Sequence, residues 1–110
     1  MVYDMGVKMT KYKILDVLHS GRKGIRGTPV EEHKYDQLVG SVIRMYDLEG
    51  ESIKQFEPLR FNFVDHPLYE IWNTSELLQL AKDKKSGEYI IETVNTIYRL
   101  EKLDGNKVES

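Results

Sequence analysis

Residues 20–29 read SGRKGIRGTP, and their types and spacing come close to a chemistry. Successive backbone N–H groups in glycine-rich turns can ring an anion, and Arg22, Lys23 and Arg26 would add charge to it. Lys34 follows a few residues on. Nucleic-acid phosphate is the ligand that such a loop would suit. Against this, Gly21, Gly24 and Gly27 recur every third residue, and the loop's lysine, Lys23, is followed by Gly24 where a phosphate loop has a hydroxyl residue. Glu31 and Glu32 also offset the charge. A flexible, solvated loop is the competing reading.

Aromatic side chains are the second resource. Tyr35, Tyr46, Tyr69, Trp72, Tyr89 and Tyr98 have the rings to stack bases or hold a proline-rich peptide on the open face of a small domain. A nucleic-acid site would combine Arg22, Lys23, Arg26 and Lys34 with stacking by Trp72 or Tyr69. The alternative for each ring is core or rim duty, with the ring buried and the polar tip wet. Histidines at 19, 33 and 66 are widely spaced and the chain has no cysteine, so no metal-ligand pattern is present. His66 with Asp65 would need ligands from elsewhere. Asp16, His19 and Ser20 lie close in sequence, but alternate side chains of a strand point apart. The expectation is a protein without catalytic residues, metal or cofactor.

The elements that must position these residues read as strands. In GEYIIETVNTIYRLEKL, residues 87–103, Tyr89, Ile91 and Thr93 fall on one face and Ile90, Glu92 and Val94 on the other. The second arm alternates in the same way, which makes a β-hairpin about Val94-Asn95. Asn95 tolerates the left-handed backbone that a tight two-residue turn uses. Residues 11–19 form a first strand with a mixed pattern. Residues 30–37 continue the loop or make a short helical turn. Residues 38–48 return to strand character, with Gly40 inside the run suggesting a bulge or bend. Residues 59–64, with Leu59, Phe61 and Phe63 on one face, form a third strand, and 68–72 alternate again.

Residues 74–82, TSELLQLAK, carry two readings. Thr74 or Ser75 can cap a helix with Leu77, Leu78 and Ala81 at helical spacing. The neighbouring strands favour a strand, with at most one helical turn near 74–80. Strand is the preferred reading.

Forty per cent hydrophobic and 31 % charged residues in 110 suit one globular domain. The expected limits are a loose leader at 1–9, a domain at 10–103 and a polar tail at 104–110. No transmembrane span or signal peptide is expected, and the default compartment is the cytoplasm. A net charge of −2 hides an asymmetry: residues 1–30 hold six Lys/Arg against two Asp/Glu, and 31–110 hold ten against sixteen. The Thr74-Ser75 pair followed by Thr93-x-Asn95-Thr96-x-Tyr98 resembles small bacterial β-barrel proteins in which a TS pair precedes a TxNTxY-like hairpin. That resemblance covers the last third of the chain and implies a barrel, with no activity attached. The fold class expected is all-β, mainly antiparallel, a five- to six-stranded SH3-like or OB-like barrel. The function expected is a non-catalytic interaction module, protein–protein or self-associating, with nucleic-acid binding through residues 20–28 as the alternative.

Overall fold

The computed structural model describes residues 9–103. The expected leader, apart from Met9, and the expected tail at 104–110 lie outside the described residues. Six strands are present: β1 (Met9–His19), β2 (Val42–Tyr46), β3 (Pro58–Phe63), β4 (Ile71–Lys82), β5 (Tyr89–Thr93) and β6 (Thr96–Leu103). One helix, α1 (His33–Asp36), interrupts them. All neighbours are antiparallel, the ring follows sequence order, and β6 returns to β1 to close a barrel. The expected small all-β barrel is the fold. None of its helices is long and apolar enough to cross a membrane, among the described residues.

Alternation fills the interior. Tyr12 and Ile14 from β1, Ile43 and Met45 from β2, Leu59 and Phe61 from β3, Tyr89 and Ile91 from β5, and Tyr98 and Leu100 from β6 are all buried. The predicted hairpin arms point inward with the faces expected. Residues 30–41 add Val30 and Leu38 to this core, with Tyr35 packed on it.

Two register shifts and one turn account for what the pattern obscured. The pairing of β1 with β6 shifts register between Ile14 and Asp16. That bulge turns Asp16 outward and Val17 inward, which is why the first strand reads as mixed. The pairing of β4 with β5 shifts between Leu77 and Gln79. Leu77 is buried there while Leu78 is exposed, so the apolar residues fall at helix-like spacing within a continuous strand. The reading of 74–80 as a helical turn is corrected accordingly, and the short helix lies at α1 instead. Gly40 is no strand bulge: it sits in a turn before β2 with φ of 90°, and its N–H donates to the Ile14 carbonyl at 2.7 Å. Residues 68–70 precede β4 as bent, irregular chain.

Candidate functional site

The glycine loop is ordered by its own hydrogen bonds. Gly27 N–H donates to the His19 carbonyl (2.9 Å), His19 N–H to that of Thr28 (2.8 Å) and Val30 N–H to that of Val17 (3.1 Å). Gly21 and Gly27 adopt φ of 109° and 86°, where a side chain would be strained. At Gly24 a Cβ would sit 2.6 Å from the His19 ring. The three glycines thus answer to turn geometry and to one close approach. Arg26 clasps Glu92 on β5 with both guanidinium nitrogens (2.6 and 2.8 Å) and also donates to the Ser20 carbonyl (3.0 Å). That pair holds the Glu92 carboxyl below its ordinary range.

Arg22 and Lys23 are exposed and have no ion-pair partner among the described residues. Lys23 lines a cleft of about 220 Å³ with His19, Tyr35, Glu31 and Glu32, whose two carboxylates oppose an anion. Lys34 lies 4.0 Å from Glu32 and 5.4 Å above the Tyr35 ring.

Tyr69 and Trp72 do come together, edge to face at 5.8 Å, and Tyr35 meets Trp72 in the same way at 5.3 Å. Trp72 Nε1 donates to the Tyr98 hydroxyl at 3.1 Å. These half-buried rings pack on the core and contact one another, so they form wall more than stacking platform. His66 bridges two loops. Its Nε2 bonds to the Gln37 carbonyl at 2.9 Å, while Nδ1 accepts from the N–H groups of Leu68 (2.9 Å) and Tyr69 (3.1 Å), which fixes the Nε2–H tautomer. No three His, Cys, Asp or Glu side chains assemble as a metal site among the described residues.

The residues of the TS and TxNTxY motifs hold two adjoining strands together. Thr93 Oγ1 donates to the Thr96 carbonyl (2.8 Å) and accepts its N–H (3.1 Å). Ser75 Oγ accepts the Asn95 N–H (3.1 Å), and Val94 N–H donates to the Glu76 carbonyl (3.1 Å). Thr74 Oγ1 takes the Leu59 N–H on the other side (2.9 Å). With the turn held from β4, neither Val94 nor Asn95 needs positive φ, so the left-handed turn that Asn95 would allow is not used.

A second polar cluster joins β1, β5 and β6 to the segment that follows β2. Thr10 Oγ1 donates to buried Asp47 (2.7 Å), Lys102 lies 3.3 Å from the same carboxylate, and the Tyr12 hydroxyl accepts the Leu48 N–H (2.9 Å). The Tyr89 hydroxyl donates to Glu49. Burial pushes Tyr12 up to about 12, and burial with the Glu49 carboxylate raises Tyr89. Burial would raise Asp47, but Thr10, the Glu49 N–H and Lys102 bring it below its ordinary value. Phenols shifted up beside carboxylates shifted down tie these segments together through hydrogen bonds and ion pairs.

The remaining feature is the seam between β2 and β3. Its ladder contains Ile43↔Phe63 and Arg44↔Asn62, and Asn62 Nδ2 donates to the Arg44 carbonyl at 3.2 Å where the pairing ends. Continued in the same register, Met45 would face Phe61 and Tyr46 would face Arg60. Their strands instead flank a groove of about 500 Å³, lined by Met9, Met45, Tyr46, Ile53, Pro58, Leu59 and Arg60 among others. Along β3, Leu59 N–H turns to Thr74 on β4 while Val64 N–H turns to Val42 on the β2 side. By that alternation the Arg60 peptide faces the groove. Phe56, between groove-lining Lys54 and Glu57, has φ of 71° and is 66 % exposed. Sequence reading missed this site because each of its residues looks like an ordinary strand residue. The one available signal was Pro58, which avoids central ladders.

Comparison with protein-family descriptions, with curated proteins and with solved structures returned no match.

Proposed function

We propose that the protein is a non-catalytic interaction module that accepts an extended segment of a partner protein in the β2–β3 seam. It would do so by strand addition, in which an extended peptide pairs its backbone with an unpaired sheet edge. The observation that carries this reading is the ladder that stops after Arg44↔Asn62 beside a groove with an apolar floor of Met45 and Leu59. Backbone groups at Tyr46 and Arg60 would supply affinity, and the floor would take alternate side chains. On this reading the partner is another cytoplasmic protein or a second copy of the chain.

Nucleic-acid binding through Arg22 and Lys23 is the second reading, favoured by their lack of ion-pair partners among the described residues. Arg26 and Lys34 contribute less to it, being engaged by Glu92 and Glu32.

The test is amide NMR with a short peptide of alternating valine and threonine. Shifts centred on Tyr46 and Arg60, lost when the peptide backbone is N-methylated, are expected. Shifts on residues 20–28, or none, would remove the seam as the site. Oligonucleotide anisotropy at low and physiological salt, comparing the chain with an Arg22→Ala/Lys23→Ala variant, tests the second reading.

A further inference from the structure

The outer surface beside the seam carries cations that the rest of the molecule leaves unneutralised. Lys11 on β1 stands directly across from Arg44 on β2, and Arg60 flanks the groove on β3 with Lys54 near its end. None of these four has an ion-pair partner among the described residues. Like charges directly opposed across a strand pair are destabilising, and the whole chain is net negative at −2. Some cations elsewhere meet carboxylates, as Arg99 does with Asp16 and Glu88, whereas Arg22 and Lys23 stand apart on the glycine loop without the apolar floor found here. Glu57 is the sole acid among the groove-lining residues.

Resting on the seam as the binding site, we infer that its occupant is an extended peptide segment that alternates apolar with acidic side chains. A strand lying between Tyr46 and Arg60 directs every second side chain inward, onto Met45 and Leu59, and the others outward among Lys11, Arg44 and Arg60. Acidic groups there meet unpaired cations and relieve the Lys11–Arg44 opposition. The apolar floor and the peptide edges distinguish this from a nucleic-acid track: a sugar-phosphate chain has no ladder of N–H and C=O groups to pair with Tyr46 and Arg60, and Tyr46 is the one aromatic ring lining the groove.

The experiment compares three heptapeptides on the full chain, with valine alternating with glutamate, threonine or lysine, by amide NMR and anisotropy. The glutamate peptide is expected to bind at Tyr46 and Arg60 about tenfold or more tighter than the threonine peptide, with the preference shrinking as salt rises. The lysine peptide is expected not to bind. Arg44→Glu with Arg60→Glu should abolish the preference, and Arg60→Gln alone should reduce it while leaving the circular dichroism spectrum unchanged.

Equal binding of the glutamate and threonine peptides would overturn the acidic assignment and leave the seam reading standing. Binding of none would overturn both. A single-stranded oligonucleotide that shifts the same amides when the glutamate peptide does not, or a homodimer interface covering Tyr46 and Arg60, would likewise overturn the inference.

Discussion

The wall made by β4, β5 and β6 and the seam between β2 and β3 belong to one barrel but treat their polar groups in opposite ways. In the wall, β5 and β6 pair without a break from Tyr89↔Leu100 to Glu92↔Ile97, and their turn is held by Thr93, Ser75 and the Glu76 carbonyl. Arg26 reaches in to Glu92, and Arg99 links Asp16 with Glu88. In the seam the ladder ends after two pairs, and the flanking cations are unpaired. Groups satisfied within the chain stabilise it and leave nothing to offer a partner. Those left unsatisfied weaken it a little and are what a partner can use.

The largest contrast should come from truncating side chains on each side. Ile91 is fully buried in the wall, so Ile91→Ala should cost about 2–5 kcal/mol in chemical denaturation. Tyr46→Ala in the seam, where the ring is 46 % exposed, should change stability by less than about 0.5 kcal/mol. Comparable losses would erase the distinction. Thr93→Val should follow, at about 1–3 kcal/mol, because it strips a buried Thr96 N–H of its acceptor. If this change proves neutral, the turn is held by β4 alone.

Acid should act on the network that ties β1 to the end of β2. Asp47 has a folded pKa below its unfolded value. Its contribution is therefore present above the ordinary Asp value of about 4 and lost as pH falls from there through the folded value. Asp47→Asn should lower stability at neutral pH and flatten the slope of stability below about pH 4. A slope identical to that of the parent would place the acid sensitivity elsewhere. Within the wall the smallest effect is expected at Arg99, whose side chain is about one-third exposed. Arg99→Met should cost at most about 1 kcal/mol, diminishing with salt.

Much of the fold was legible because period-two alternation survives in β5 and β6, where no bulge intervenes. It was obscured in β1 and β4, where the shifts at Ile14/Asp16 and Leu77/Gln79 move side chains to the opposite face and imitate mixed or helical spacing. The site was far less legible. Composition singled out the glycine loop, yet Gly24 is explained by the His19 ring and Arg26 by Glu92. Neither long-range partner can be seen from the loop alone. The seam depends on a pairing that stops, and a register that fails to continue has no residue type of its own.

The most direct measurement is amide hydrogen exchange followed residue by residue. If the ladder ends after Arg44↔Asn62, the Tyr46 and Arg60 amides should exchange at least about a thousandfold faster than those of Ile91 and Tyr98 in the paired wall, because local opening spans the range from near zero to the global stability. Protection at Tyr46 and Arg60 equal to that of Ile91 would mean a closed seam, and would contradict the account.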